Sequence, residues 1–320
     1  MTEMPVATKP YKLGIVGAGA VGSALAYASL IRRSARIISL YDINTKKVDA
    51  EVEDLEHGSM FTHSEVMGGS DPEVLRDSTI IIITAGAAQK PGQTRLELAE
   101  VNAKIVADMI PTLLEVAPEA TLVIVTNPCD VLTVVAQQVS GLPSSRVFST
   151  GTLLDTSRLR NRLAERARVS ESNVHAYVVG EHGDSEFPIW SSAHIASVPI
   201  RDWEVDGELV FTDAILDELA EEVKYAAYRV IEGKGATNYA IGLTGSYLVE
   251  SLLSTTRRVL PLSSVLDDYY GVSGVALSVP SLVGGGRLAD TVHAPMTLSE
   301  IRRFRESADA VRATLRSVGY

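Results

Sequence analysis

Three glycines near the start of the chain constrain its fold more than any other feature. The stretch "GIVGAGAVGSAL" spaces Gly17, Gly19 and Gly22 as GxGxxG, between the β-rich run "YKLGIVG" and a helical pattern over 20–33. Asp42 lies 20 residues after Gly22, at the end of the next β-rich run, "RIISLYD". This order of strand, glycine turn, helix and acidic residue is typical of a dinucleotide-binding βαβ unit. The alternative is a glycine turn followed by an acidic strand end.

Each of these residue types has a chemical reason to be there. Gly17 permits a tight turn, Gly19 lets the backbone approach a pyrophosphate, and Gly22 lets helix and strand pack closely. The N–H groups at the helix N-terminus attract phosphate. Asp42 can accept hydrogen bonds from an adenine ribose and would repel a 2′-phosphate, so the pattern predicts NAD rather than NADP as the cofactor.

The rest of the first half continues the alternation of β-rich and helical runs. Further β-rich runs are "STIIIITAG" (78–86), "ATLVIVTNP" (120–128) and the short "RVFST" (146–150). Runs this dense in β-branched residues are typical of parallel strands buried on both faces. We therefore predict an α/β fold, with a Rossmann-type doubly wound parallel sheet forming an NAD-binding domain over residues 1–150.

The pattern changes after about residue 150. We predict, in order, a helix over 153–167, a strand over 173–180, a helical stretch over 212–233, hairpin strands within 257–283 and a terminal helix over 297–317. Thr297 and Glu300 have the spacing of a capping box. This mixture predicts a second, α+β domain over residues 151–320, which would bind the substrate. No flexible linker separates the halves, so we expect one rigid body with a shared cleft.

Composition excludes several classes of function. The 320 residues carry a net charge of −11, which argues against nucleic-acid binding because phosphate backbones require a basic face. No window approaches 18 uninterrupted apolar residues, so we expect no membrane span. Cys129 is the only cysteine, which predicts a reducing cytoplasm. Without a HExxH, CxxC or clustered His/Cys set, the sequence predicts no metal site.

His182 is the most ambiguous residue in the chain. It lies in "VVGEHGDSEFPIW" (178–190), where it could be a catalyst, a metal ligand or a packed loop residue. In "GTLLDTSRLRNRL", Asp155 and Arg158 would share one face of a helix. Asp155 could favour the imidazolium form of His182 across the cleft, leaving Arg158 free to bind a planar anion. The alternative is a surface ion pair between Asp155 and Arg158.

A loop follows the third of the long β-rich runs. The stretch "TAGAAQKPGQTRLELAEVN" (84–102) contains Gly86 and Gly92 and enters a helix near Leu96, with Arg95 at the boundary. Ligands bind at the carboxyl ends of strands in open α/β sheets, and glycines can act as hinges. We therefore predict a mobile lid over the site. The alternative is a surface loop with a solvated arginine.

Seven motifs in one order resemble the L-lactate dehydrogenases of the lactate/malate dehydrogenase superfamily, of the bacterial type that fructose 1,6-bisphosphate activates. They are "GIVGAGAVG", "TAGAAQKPGQTR", "VTNPCDVLT", "GTLLDTSRLR", "GEHGDSEFPIW", "KGATNYAI" and "LSVPSLVG". Together they extend over essentially the whole chain. The resemblance implies reversible hydride transfer between NADH and pyruvate, which gives L-lactate and NAD⁺.

The resemblance also implies residue roles. His182 would donate and accept the proton, with Asp155 as its orienting carboxylate. Arg158 would bind the substrate carboxylate, and Arg95 would polarise the ketone. Other residues implied to bind substrate are Gln89, Asn127 and Thr237. Residues implied to bind NAD are Gly17, Gly19, Val21, Gly22, Asp42, Thr84, Ala85, Gly86, Asn127 and Ile241. The bond between Asn127 and Pro128 is expected to be cis, as in the family.

Gln89 separates two branches of this superfamily. The malate branch resembles the present sequence except for an arginine at this position, which pairs with the second carboxylate of oxaloacetate. At neutral Gln89 that carboxylate would be buried without a partner, at a cost on the order of several kcal/mol, so pyruvate is favoured. Malate or another L-2-hydroxy acid stays open as the substrate. A non-catalytic NAD-binding protein is a further alternative, although Arg95, Asp155, Arg158 and His182 are all present.

Arg160 and His175 have two interpretations. Spacing alone favours a surface arginine and a strand histidine. In the allosteric bacterial relatives the matching arginine and histidine bind fructose 1,6-bisphosphate at a subunit interface, where basic groups from two subunits can neutralise a phosphate. The resemblance therefore implies this activator and a homotetramer.

Overall fold

The first half of the chain forms a parallel sheet. Its strands are β1 (Lys12–Val16), β2 (Ile37–Tyr41), β3 (Glu65–Gly69), β4 (Ile80–Ile83), β5 (Thr121–Ile124) and β6 (Val147–Ser149). A computed structural model describes residues 11–87 and 94–320, and within these ranges the six strands follow the order β3-β2-β1-β4-β5-β6. The chain winds outward from β1 in both directions, which confirms the predicted doubly wound α/β fold.

Helices cover both faces of this sheet. They are α1 (Ala20–Arg32), α2 (Thr45–His57), α3 (Arg95–Val116) and α4 (Cys129–Ser140). The fully buried strand β4 shows why both faces need cover, because Ile80 and Ile82 pack in the core with α1 whereas Ile81 and Ile83 pack in the core with α3 and α4. Burial of each such isoleucine contributes about 1.5–3 kcal/mol.

The second half of the chain combines helices with short strands. The helices are α5 (Leu153–Ala167), α6 (Asp213–Lys224), α7 (Ala226–Lys234), α8 (Tyr239–Leu253) and α9 (Leu298–Ser317). The strands are β7 (Val174–His175), β8 (Val178–Val179), β9 (Phe187–Pro188), β10 (His194–Ile195), β11 (Val198–Pro199), β12 (Glu204–Val205), β13 (Glu208–Leu209), β14 (Arg258–Val265), β15 (Ala276–Gly284) and β16 (Arg287–Thr291). The hairpin of β14 and β15 joins the parallel sheet where Ser263 pairs with Ser149.

Two elements that were predicted to be continuous are interrupted in the structure. The strand predicted over 173–180 is two strands, because β7 pairs with β10 whereas β8 pairs with β9. The helical stretch predicted over 212–233 breaks at Tyr225, which lies between α6 and α7 with φ −93° and ψ 5°. The predicted helix over 153–167 is confirmed as α5, and α9 begins with the predicted capping box at Thr297.

This topology brings four loops to one edge of the sheet. The glycine turn follows β1, Asp42 follows β2, Thr84 follows β4 and Asn127 lies three residues after β5. All are carboxyl ends of parallel strands, where ligands bind in open α/β sheets. In residues 11–87 and 94–320, no helix is both long and apolar enough to cross a bilayer.

Candidate active site

The glycine turn after β1 has the geometry of a phosphate-binding turn. Gly17 adopts φ +107°, a conformation that side chains disfavour, and its N–H donates to Tyr41 O at 2.7 Å. A Cβ at Gly22 would collide with the carbonyl oxygen of Gly17, so α1 packs directly on the turn. A Cβ at Gly19 would meet no atom of the described residues within 4 Å. Space therefore remains beside the backbone of Gly19, at the N-terminus of α1.

Asp42, at the end of β2, is hydrogen-bonded to the glycine turn. Its Oδ2 accepts a hydrogen bond from Ala18 N at 2.7 Å, and its Oδ1 accepts one from Asn44 N at 2.9 Å. A cavity of about 740 Å³ opens beside it. Six residues with a predicted NAD-binding role line this cavity, namely Gly17, Gly19, Asp42, Thr84, Ala85 and Gly86. The structure thus brings these six together, with Val21 and Gly22 in the helix that starts beside them.

A second cavity surrounds His182. Asp155 Oδ2 lies 2.7 Å from His182 Nδ1, and Asp155 Oδ1 lies 2.8 Å from Arg158 Nη1. The side chain of Asp155 is only 3% exposed, whereas those of His182 and Arg158 are 28% and 18% exposed. Arg158 is therefore not free of Asp155, contrary to the expectation from sequence, because one carboxylate holds both cationic side chains. Asp155 is buried and Arg158 is only partly exposed, so the two residues do not form the exposed surface ion pair that was the alternative.

The loop that carries His182 is held from two sides. It connects β8 to β9 and starts at Gly180, whose φ is +92°. Asp130 at the start of α4 accepts a hydrogen bond from the backbone N–H of His182 at 2.7 Å. Ser307 on α9 accepts one from Glu181 N at 2.8 Å. These contacts fix the backbone under the imidazole, so the orientation of the ring depends on Asp155.

Charge in the cavity favours a protonated His182. Burial lowers the pKa of His182, but Asp155 more than offsets this through its charge and hydrogen bond, and the pKa is well above its usual value. Burial raises the pKa of Asp155, and His182 and Arg158 overcome this so that it lies below the usual value. The site therefore holds an imidazolium between a carboxylate and the cavity, as a general acid requires.

Glu186 is a residue that sequence reasoning missed. Its Oε2 lies 3.7 Å from His182 Nδ1, and its side chain is 5% exposed. Burial, together with the charge of Asp155, raises the pKa of Glu186 to about 7. Ligand-type atoms of Asp155, His182 and Glu186 lie within 4.8 Å of one another, which a cation could use. Because Nδ1 of His182 is already hydrogen-bonded to Asp155, this nitrogen is not free to ligate a cation. The sequence did contain a signal for this residue, since an acidic residue follows His182 by four positions in the same loop.

Asn102 on α3 is a second missed residue. Its Oδ1 accepts from Ala87 N at 2.7 Å, and its Nδ2 donates to Asn127 O at 2.8 Å. The side chain is fully buried, so it links the stem of the predicted lid to Asn127. The peptide bond from Asn127 to Pro128 is cis, as expected. A polar residue on the apolar face of α3 was the available signal.

The cavity around His182 measures about 730 Å³. Asn127, Asp155, Arg158 and His182 line it, together with Leu96 and Leu98 of α3. Among the residues that the structure describes, Thr237 and Ile241 line neither this cavity nor the one beside Asp42. Gln89, the predicted lid hinge Gly92 and the side chain of Arg95 lie outside the described residues, so their predicted roles stay predictions.

Arg160 and His175 lie together on the surface of the second half. Arg160 Nε donates to Ala176 O at 2.9 Å, and its guanidinium lies 4.9 Å from the ring centre of Tyr177. The exposed ring of His175 stacks on His194 with ring centres 4.9 Å apart. Burial, followed by the charges of His194 and Arg160, lowers the pKa of His175. The structure thus places three basic side chains in one surface region.

Models of the lactate/malate dehydrogenase family match both halves of this chain. The model of the NAD binding domain matches residues 11–149, and the model of the alpha/beta C-terminal domain matches residues 152–318. The L-lactate dehydrogenase of Bifidobacterium animalis subsp. lactis is 46% identical over 322 residues, which cover 100% of both chains. That of Thermus aquaticus is 41% identical over 310 residues, 97% of this chain and 100% of the relative.

A solved structure has the same fold. The minor L-lactate dehydrogenase from Enterococcus mundtii, in a ligands-bound form, superposes with a TM-score of 0.91 at 36% sequence identity. The superposition covers 96% of this chain and 98% of that one. The likeness therefore extends over both halves of the chain.

Proposed function

Because this chain belongs to the lactate/malate dehydrogenase family, we propose that it is an L-lactate dehydrogenase that reduces pyruvate reversibly to L-lactate. The observation that carries the proposal is the hydrogen bond from His182 Nδ1 to Asp155, beside the partly buried Arg158. This arrangement supplies one proton donor and one anion-binding group in the same cavity. Both are required to reduce a 2-oxo acid.

NAD is the cofactor of the family's first domain, and the residues present fit it. The open space beside Gly19 suits a pyrophosphate, and the carboxylate of Asp42 suits the two hydroxyls of a ribose. When bound, NAD supplies or accepts the hydride. The work of the protein chain is to bind the substrate, orient it and move one proton.

Arg158 and His182 divide that work. The guanidinium of Arg158 binds the carboxylate of pyruvate and turns its carbonyl toward the imidazole. Since Nδ1 of His182 is hydrogen-bonded to Asp155, Nε2 is the atom that gives its proton to the oxygen of the substrate. In the opposite direction, neutral Nε2 takes the proton from the hydroxyl of lactate. Arg95 stabilises the charge that develops on this oxygen, as the resemblance implies.

A panel of 2-oxo acids tests the substrate. The kcat/KM values for pyruvate, oxaloacetate, 2-oxobutyrate and branched 2-oxo acids are measured with NADH. We expect pyruvate to be preferred, since neutral Gln89 offers no partner to a second carboxylate. Preference for oxaloacetate would contradict the proposal and favour malate dehydrogenase.

His182→Ala tests the catalytic role itself. We expect this variant to lose most pyruvate reduction, roughly 10²- to 10⁴-fold, while its affinity for NADH stays unchanged. Wild-type reduction by the variant would refute the role of His182. Absence of NADH oxidation by the wild-type protein, with NADH binding intact, would favour the alternative of a non-catalytic NAD-binding protein.

Activation by fructose 1,6-bisphosphate is the second part of the proposal. Arg160, His175 and His194 place one guanidinium and two imidazole rings in one surface region, and phosphates accept hydrogen bonds from such groups. A subunit interface at this region would double their number. Addition of the bisphosphate should lower the pyruvate concentration that gives half-maximal rate. Unchanged saturation curves would count against this part alone.

A homotetramer is supported by exposed apolar side chains. Tyr27 and Ile31 of α1 are each 60% exposed, and Leu243 of the adjoining α8 is 53% exposed. Met60 and Phe61, which follow α2, are also exposed. Large apolar side chains exposed on adjoining elements favour contact with another subunit. Light scattering should give four times the mass of the 34.3 kDa chain, and a monomeric mass would contradict it.

A cytoplasmic location fits the state of Cys129. This residue is the only cysteine of the sequence, so no intrachain disulfide can form. Its thiol is buried, and burial raises its pKa to about 12. The chain thus contains no element that requires an oxidising compartment. Cell fractionation tests the location, and recovery of the enzyme outside the cytoplasmic fraction would contradict it.

A further inference from the structure

The imidazole of His182 has two carboxyl neighbours. Asp155 Oδ2 lies 2.7 Å from Nδ1, and Glu186 Oε2 lies 3.7 Å from the same nitrogen. Among the described side chains, His182 is the only ion-pair partner of Glu186. A buried carboxyl group without a lysine or arginine is unfavourable for folding. Its position is therefore better explained by an effect on His182 than by stability.

We propose that Glu186 is a second positioning residue for His182, and that its ionisation extends the retention of the imidazole proton to higher pH. The inference rests on the proposed role of His182 as the acid and base of the reaction. Asp155 orients the ring at all working pH values, whereas Glu186 changes its charge within the working range. Glu186 therefore acts through His182 and does not itself contact the substrate.

The surroundings of Glu186 support different roles for Asp155, which stays ionised, and Glu186, which changes its charge. The other ionisable groups that line the cavity are Asp155, Arg158, Glu181, His182, Asp184, Lys224 and Tyr228. Cys129 and Asp130 are buried behind it and interact with His182 through charge. Asp155 stays ionised because its pKa is lowered, and Cys129 stays neutral because burial raises its pKa to about 12. Burial raises the pKa of Asp130 to about 6, but its carboxylate contacts the backbone N–H of His182 rather than the ring. Glu186, with a pKa of about 7, is the neighbour of the ring that ionises near neutrality.

The direction of the effect follows from charge. Below its pKa Glu186 is neutral, and above it the carboxylate lies next to Nδ1 and stabilises the imidazolium. Pyruvate reduction needs the protonated ring, so ionised Glu186 keeps reduction active at higher pH. Lactate oxidation needs the neutral ring, so the same charge delays its onset to higher pH. Removal of the charge should move both limits to lower pH.

Glu186→Gln is the test, since it keeps the shape of the side chain and removes the charge. The kcat/KM for pyruvate with NADH and for lactate with NAD⁺ is measured as a function of pH. We expect both half-maximal points to move to lower pH by roughly one unit, the shift expected on loss of a charge at this distance. Glu181→Gln is the matched control on the same loop, because Glu181 Oε2 accepts a hydrogen bond from Ser185 Oγ rather than from the ring. Its shift should be smaller.

Three results would overturn the proposal. One is an unshifted profile of Glu186→Gln in both directions. Another is an equal loss of activity at every pH, which would indicate a structural role only. The third is an equal shift in Glu181→Gln, which would indicate a general effect of loop charge. NADH affinity and melting temperature verify folding of each variant.

A second variant covers the case in which Glu186→Gln does not fold. Glu186→Asp keeps the charge but withdraws it from Nδ1, so a shift in the same direction but of smaller size is expected. An unchanged profile would again overturn the proposal. Failure of the proposed function is distinguishable, because it would appear as wild-type reduction by His182→Ala or as the lack of pyruvate reduction by the unmodified enzyme.

Discussion

One carboxylate holds both key cationic side chains of the cavity. Asp155 Oδ2 lies 2.7 Å from His182 Nδ1, while Asp155 Oδ1 lies 2.8 Å from Arg158 Nη1. Asp155 and Arg158 are three residues apart on α5, whereas His182 comes from the loop between β8 and β9. The carboxylate therefore fixes the distance between the proton donor and the anion-binding group.

Asp155→Asn should remove the proton-donor function with little change in shape. The neutral amide no longer raises the pKa of His182, so pyruvate reduction should fall by roughly 10²-fold or more and its alkaline limit should move to lower pH. Steady-state kcat against pH measures both effects. Glu165→Gln is the control, since Glu165 forms an exposed ion pair with Arg162 at 3.0 Å on the same helix. Equal kcat in Asp155→Asn and wild type would contradict the prediction.

Arg158→Lys should weaken pyruvate binding. Lysine keeps the charge but loses the planar group that binds a carboxylate through two hydrogen bonds. Loss of one charge-assisted hydrogen bond corresponds to a rise of roughly 10- to 100-fold in KM for pyruvate. The exposed Arg162 on the same helix provides Arg162→Lys as a control with wild-type KM. An unaltered KM in Arg158→Lys would argue that the substrate carboxylate binds elsewhere.

Gly19 and Gly22 of the turn should respond differently to substitution by alanine. In Gly22→Ala the new Cβ collides with the carbonyl oxygen of Gly17, and overpacking of this kind typically lowers stability by about 1–3 kcal/mol. In Gly19→Ala the Cβ occupies the open space beside the turn, so the melting temperature should stay unchanged while NADH binding weakens. Thermal unfolding and NADH titration separate the two effects. Tight NADH binding by a stable Gly19→Ala protein would show that the pyrophosphate lies elsewhere.

Asp42→Asn should weaken the preference for NADH over NADPH. The amide is neutral and no longer repels a 2′-phosphate, while it binds the ribose hydroxyls less strongly. Loss of one hydrogen bond to a charged group predicts a fall in NADH affinity of roughly tenfold or more. The ratio of kcat/KM for the two cofactors measures the change. Asp49→Asn, on the exposed side of α2, is the control and should keep the wild-type ratio. A wild-type ratio in Asp42→Asn would contradict the prediction.

Binding of fructose 1,6-bisphosphate should depend on pH through His175. Burial and the nearby charges of His194 and Arg160 lower the pKa of His175, so the ring is neutral at neutral pH. A phosphate favours the protonated ring, and binding should therefore tighten as pH falls. Titrations of the bisphosphate at pH values on both sides of neutrality test this. Arg160→Met is expected to abolish activation, whereas Arg162→Met, the control, is expected to retain it. Binding that is independent of pH would exclude titration of His175.

Much of the site could be predicted because its parts are local in sequence. GxGxxG between a strand and a helix, with Asp42 after the second strand, needs only short-range spacing to be interpreted. Asp155 and Arg158 likewise share a helix face. The prediction of one continuous strand over 173–180 was wrong. The structure has two strands there, β7 and β8, because each pairs with a different strand from elsewhere in the sequence.

The sequence by itself determined the parallel sheet, the glycine turn after β1 and the presence of Asp155, Arg158 and His182 among the polar residues of the cleft, since hydrophobic periodicity and motif spacing are encoded locally. Only the tertiary structure decided which of those residues touch. In the folded chain Asp155 contacts both His182 and Arg158. Asn102 lies between Ala87 and Asn127 and is hydrogen-bonded to both. The tertiary structure also turned Glu186 toward the imidazole. The reason is physical, because hydrogen bonds and pKa shifts depend on distances and burial that arise only when remote segments pack.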